Sequence, residues 1–193
     1  METLSLNLNK RYTYADYLTW FDDKRRELIN GFINFMAGPL RKHQEASGIL
    51  FNKIFNLLKN KKCKIYSAPF DVRLPINGET EDGEIYNVVQ PDLVVVCDPN
   101  KLDDKGCIGA PDLIVEILSP STSKTDLKDK YQLYEKSGVK EYWIAYPDLK
   151  NINAFILNKK NKYELAGMYV EGDKISPSMF PELEIDITEV FEF

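Results

Sequence analysis

Two apolar segments of strand length, Gln90 to Val96 (QPDLVVV) and Ala110 to Ser121 (APDLIVEILSPS), each carry a carboxylate where a buried strand does not tolerate one. Asp92 opens the first run after Pro91, and Glu116 sits inside Leu113-Ile114-Val115-Glu116-Ile117-Leu118. An unpaired ionised carboxylate in a sheet interior costs on the order of several kcal/mol. Each must therefore reach solvent, a cation or a hydrogen-bond donor. Alternation along a strand puts Glu116 on one face with Ile114 and Leu118, and Asp92 on a face with Val94 and Val96. If the two strands pair, the carboxylates converge and suit a hard divalent metal. The residues leave a second reading open: Asp92 caps a turn after Pro91, and Glu116 pairs with a buried Lys or Arg.

A chain of 193 residues is long enough for one full core, so a single domain over 1–193 is expected. Its 11 Tyr and 10 Phe argue against disorder. The net charge of -5 gives no general attraction to nucleic acid, though it permits a local basic groove. Lys59 to Lys64 and Lys159 to Lys162 are basic clusters that read first as solvated turns or helix ends. Cys63, Cys97 and Cys107 have no zinc-type spacing, and His43 is the only histidine, which argues against a structural zinc site. Scattered thiols in odd number fit a reducing cytoplasm. Neither a signal peptide nor a membrane-spanning apolar run is recognisable.

Along the chain, Thr13 to Asp22 reads as a helix and Asp23 to Ala37 as a hairpin turning at Asn30-Gly31. His43 to Asn60 reads as an amphipathic helix. Lys64 to Leu74, Val88 to Cys97 and Asp112 to Leu118 read as strands, with loops at 77–84 and 98–109. Ser123 to Asp126 resembles a capping box for a helix reaching about Ser137, with Gly138 as its C-cap. Glu141 to Ala145 is a further strand, and Ile152 to Leu157 with Tyr163 to Tyr169 is an antiparallel pair. This order predicts an α/β or α+β domain, a mixed central β-sheet flanked by helices.

Asp126, Lys130 and Tyr134 recur at helical spacing and share a face. That face is either a solvated ion pair or a route that sets Lys130 beside Glu116, where an ammonium could orient water or offset charge on a phosphate. His43 is either a general base or an ordinary early-helix residue. Neither GxSxG nor a glycine-rich nucleotide loop occurs.

The runs Pro91-Asp92, EILSPST (Glu116 to Thr122), DLKDKYQLY (Asp126 to Tyr134) and SGVKEYWIAYP (Ser137 to Pro147) resemble the Uma-two family of restriction endonucleases, in the PD-(D/E)XK nuclease superfamily. The likeness extends from about Tyr14 to Val190, with RELING (Arg26 to Gly31), His43-Gln44 and DVRL (Asp71 to Leu74) matching in outline. It implies a restriction-endonuclease-like fold. It implies Asp92 and Glu116 as ligands of Mg2+ or Mn2+, with the Ile117 carbonyl as a third oxygen. Superfamily members usually carry Lys two residues after the acid. Leu118 stands there in this chain, which points to Lys130 as the catalytic lysine. Glu27 matches an acidic residue of the first motif and would serve a second metal or a bound water. Arg73 is a candidate phosphate contact, with a structural ion pair as its other reading, and Tyr134 either holds Lys130 or contacts a phosphate. Where relatives often read Asp-Gly-Glu, this chain reads Asn30-Gly31-Phe32. The implied activity is metal-dependent hydrolysis of DNA, most naturally double-stranded and cut by a homodimer. A degenerate nuclease fold that binds without cutting, or a nuclease for RNA or single strands, remains the alternative.

Overall fold

The computed structural model of the protein describes residues 6–119 and 124–193. The capping box expected at Ser123 to Asp126, and Asp126 as a helix-face side chain, fall outside the described residues and side chains. α1 (Tyr14–Tyr17) opens on a capping box, in which Thr13 and Asp16 each satisfy the other's backbone N–H. It is shorter than the expected helix to Asp22. The Thr19 hydroxyl donates to the Asp16 carbonyl at 2.6 Å, competing for an acceptor that a continuing helix would need.

β1 (Arg26–Ile29) and β2 (Phe32–Phe35) form the expected hairpin. Asn30 and Gly31 both take positive φ, +53° and +84°, as a two-residue turn of matching twist requires. α2 (Arg41–Leu58) buries Ala46, Leu50, Ile54 and Leu58, one residue per turn along a single stripe.

Two expected strands each divide. Lys64 to Leu74 becomes β3 (Lys64–Ser67) and β4 (Val72–Arg73), and Val88 to Cys97 becomes β5 (Val88–Val89) and β6 (Leu93–Val96). Pro69 and Pro91 fall in the gaps. Each lacks the N–H that a continuous ladder would use, so the chain changes sheet at both points. The expected loop 98–109 holds a 3-10 turn and a small hairpin, β7 (Leu102–Asp103) with β8 (Gly106–Ile108).

β9 (Leu113–Ile117), α3 (Lys124–Ser137), β10 (Glu141–Tyr146), β11 (Asn151–Leu157) and β12 (Tyr163–Tyr169) follow as read from the sequence. The chain ends with β13 (Lys174–Ile175), β14 (Ile185–Asp186) and α4 (Ile187–Val190), which the sequence reading did not find.

One sheet runs β2-β1-β5-β4-β8-β7 and the other β12-β11-β10-β9-β6-β3. Both are mixed: β4/β8 and β9/β10 pair in parallel among antiparallel neighbours. Helices cover both faces of the second sheet, as the fold class predicted. Leu50 and Ile54 of α2 pack in one core with Leu93, Leu113, Val115 and Trp143. Leu133 and Tyr134 of α3 pack on the opposite face with Val94, Ile114, Tyr142 and Ile144.

The cysteines correct another expectation. Cys63 and Cys97 lie one step beyond the Lys64–Val96 pair of β3 and β6 and are joined as a disulfide. The thiols are therefore not scattered, and the cysteine argument for a reducing compartment loses its premise. Cys107 is free and buried, and burial pushes its thiol up to about 11. Among the described residues no helix is long and apolar enough to cross a membrane.

Candidate active site

β6 and β9 pair antiparallel with Leu93 opposite Val115. One residue further, Asp92 comes level with Glu116. The convergence expected from alternation therefore occurs, at the point where the chain leaves one sheet for the other. Asp92 Oδ2 accepts the main-chain N–H of Ile117 at 2.7 Å. That bond holds the carboxylate at the strand end and brings the Ile117 backbone against it.

Glu116 is only 8% exposed, and its Oε1 accepts from Lys130 Nζ at 3.0 Å and from the Tyr134 hydroxyl at 2.6 Å. Lys130 Nζ also donates to Glu27 Oε1 at 2.9 Å. That same Glu27 oxygen accepts the Gln90 main-chain N–H at 2.9 Å. A buried ammonium thus bridges two buried carboxylates from different sheets, one on β1 and one on β9. Burial raises the Glu116 carboxyl to about 7; Lys130 opposes the rise, Asp92 and Glu27 add to it, and the Tyr134 hydrogen bond opposes it. Tyr134 itself is held protonated well above the ordinary tyrosine range, by burial first and then by Glu116.

The cluster opens into a cleft of about 410 Å3. Its floor includes Glu27, Asp92, Glu116 and Lys130; its walls come from the end of β2 and its continuation to Pro39, and from the first half of α2. His43, on α2, places Nε2 3.1 Å from Asp92 Oδ2.

Asp92, Glu116, Ile117, Lys130 and Glu27 are therefore brought together, and Tyr134 joins them as a buried support of Glu116 rather than at a phosphate-facing position. Arg73 is not brought there. It is 2% exposed in β4, with Nη2 2.6 Å from Asp103 Oδ1 and Nε donating to the Cys107 carbonyl at 3.3 Å. The structural ion pair that competed with a phosphate role is the one formed. The sequence reading missed two contacts. The Gln90 N–H on Glu27 is a main-chain bond that no residue type announces, and the approach of His43 to Asp92 needed the docking of α2.

The donor set fits a small hard cation. Asp92 Oδ1 and Glu116 Oε2 carry no hydrogen bond among the described residues, while Oδ2 and Oε1 are engaged. No cluster of three or more acidic, His or Cys side chains forms a ready cage among the described residues. Mg2+ does not require one, since it usually takes one or two carboxylates and keeps several waters.

Residues 14–188 match the Uma2 family, described as "Putative restriction endonuclease". The chain belongs to the Uma2 family. A solved structure from Anabaena variabilis ATCC 29413, titled as a "putative nuclease belonging to DUF820", shares the fold with a TM-score of 0.73. That likeness covers 93% of this chain and 97% of the other at 20% identity. The uncharacterized protein slr1290 of Synechocystis (strain PCC 6803) is 31% identical over 121 residues, which is 62% of this chain and 60% of the relative. The chain thus spans about 60% of the length of that curated relative, and its family is described as "Putative restriction endonuclease".

Proposed function

We propose that this chain hydrolyses phosphodiester bonds of DNA with Mg2+ or Mn2+ held by Asp92, Glu116 and the Ile117 carbonyl. The observation that carries the reading is the Lys130 ammonium fixed between Glu27 and Glu116, in a cleft that also holds Asp92. The bound cation would supply a Lewis acid that polarises the scissile phosphate and offsets its charge. Asp92 and Glu116 each keep one oxygen engaged within the protein and would hold the cation with the other. Lys130 stays beside the reacting phosphate, orients the attacking water and offsets charge as it develops. Glu27 anchors Lys130 from the opposite sheet, and a second cation or a water on Glu27 is the added role that the family resemblance assigns. Tyr134 fixes Glu116 from behind.

Double-stranded DNA is the substrate proposed, and a homodimer would present one site to each strand. Such a substrate places the working protein in the cytoplasm. The test is nicking of supercoiled plasmid with Mg2+ or Mn2+, comparing wild type with Asp92→Ala and Glu116→Ala and adding single-stranded DNA and RNA as competing substrates. Cleavage by wild type that both substitutions and EDTA abolish is the expected result. Cleavage confined to RNA or single strands would move the substrate, and cleavage that survives both substitutions would sink the proposed site. Light scattering would report the oligomeric state.

A further inference from the structure

The phosphate role that Arg73 does not take has another bearer at the cleft. Among the described residues, the Lys and Arg side chains that line it are Lys130 and Arg25. Lys130 is committed to Glu27 and Glu116. Arg25 forms no ion pair among the described residues. Its Nε and Nη2 donate to one neutral acceptor, Gln90 Oε1, at 3.4 and 3.2 Å. Gln90 is itself held so that this oxygen is the one presented. Its Nε2 donates to Asp71 Oδ1 at 2.9 Å and to the Tyr17 hydroxyl at 3.2 Å, and a carboxylate oxygen can only accept. The guanidinium is therefore oriented by an amide without being neutralised.

Its place relative to the catalytic cluster follows from strand geometry. The Met36 N–H donates to the Arg25 carbonyl, so the β1/β2 ladder continues back to Arg25. Arg25 and Glu27 then share a face, about 7 Å apart along the chain, and both line the cleft. Gln90 fixes the two together, with its main-chain N–H on Glu27 and its side chain on Arg25.

We infer that Arg25 is a substrate-binding residue whose guanidinium takes a backbone phosphate next to the scissile one. Lys130 and the cation serve the scissile phosphate itself. The cleft floor otherwise sets three carboxylates, Glu27, Asp92 and Glu116, against one ammonium, a poor surface for a polyanion. An arginine fork matches a phosphate in shape and charge. The inference rests on the proposed nuclease reading and adds a substrate contact to it.

The test compares wild type, Arg25→Ala and Arg25→Lys, with thermal melts as a check on the fold. One arm is binding of a fluorescein-labelled DNA duplex in EDTA over a series of salt concentrations. The other is the kinetics of supercoiled-plasmid nicking in Mg2+. In Arg25→Ala, duplex affinity should fall about tenfold or more, and the log–log salt slope should become shallower by about one. KM for plasmid should rise while kcat stays within about twofold of wild type. Arg25→Lys keeps the charge and should keep the wild-type slope. Unchanged affinity and slope in Arg25→Ala would overturn the inference. Equal losses in both variants, slope included, would also overturn it by making the role structural. A fall in kcat at constant KM would overturn it by placing Arg25 at the reacting phosphate. If wild type binds duplex but does not nick, the nuclease proposal falls and the binding arm still decides Arg25. If wild type neither binds nor nicks, both fall.

Discussion

Among the described carboxyl groups, Glu116 departs furthest from its ordinary behaviour, and the cause is position. It is an acid on a central strand, shut from water, with two other carboxylates nearby and one ammonium to offset them. Its ordinary value of 4.5 rises to about 7, so between those values the native state keeps a proton that the unfolded chain has released. The native state then binds more protons, and this group makes the fold less stable as pH rises across that window, with no further change above it. Melting curves of metal-free protein from about pH 5 to about pH 8 should show a steeper fall for wild type than for Glu116→Gln. Equal slopes would refute the shift. The proposed cation must displace this proton, so Mg2+ affinity should climb with pH up to about 7 and then level off. Both carboxylates were legible in the sequence because each breaks an apolar run. The partners of Glu116 were less so. Lys130 emerged from helical spacing together with the resemblance, while Tyr134 acquired its role only through its burial beneath the strand.

At the scale of elements, the hairpin β1/β2, helices α2 and α3, and strands β9 to β12 follow from local pattern. Their signals, the Asn-Gly turn and the apolar stripes, are contained within the segments themselves. The divided strands were not read in this way. Apolar periodicity continues through Pro69 and Pro91, and only the pairing partners reveal that the chain has moved to another sheet. The β4/β8 contact shows how tight such a junction is. Gly106 adopts φ +132°, and a Cβ built there would stand 2.2 Å from the Asp71 carbonyl oxygen, which accepts the Cys107 N–H at 2.9 Å. Gly106→Ala should therefore cost at least about 2 kcal/mol in urea unfolding, by forcing backbone apart as well as by straining φ. A cost under about 0.5 kcal/mol would mean that β8 does not lie against β4 as described.

Across the whole molecule, the site is an intersection of two sheets and two helices. Glu27 and Lys130 meet across 103 residues of sequence, and the same packing draws Arg73 away to Asp103. Arg73→Ala should accordingly destabilise the fold by roughly 1–3 kcal/mol, chiefly through the lost packing and buried hydrogen bonds, because Asp103 is half exposed and solvent screens the charge left there. The folded fraction should cleave plasmid at the wild-type rate. A normal melting temperature with weakened DNA binding would return Arg73 to the phosphate. By itself the sequence determined the two long helices, most of the strands and the two carboxylates, because hydrophobic period and turn chemistry act over a few residues. Only the tertiary structure decided that β6 and β9 lie side by side, that Glu27 reaches Lys130, that His43 faces Asp92 and that Cys63 meets Cys97. Those contacts depend on which surfaces bury one another, and burial is a property of the assembled core.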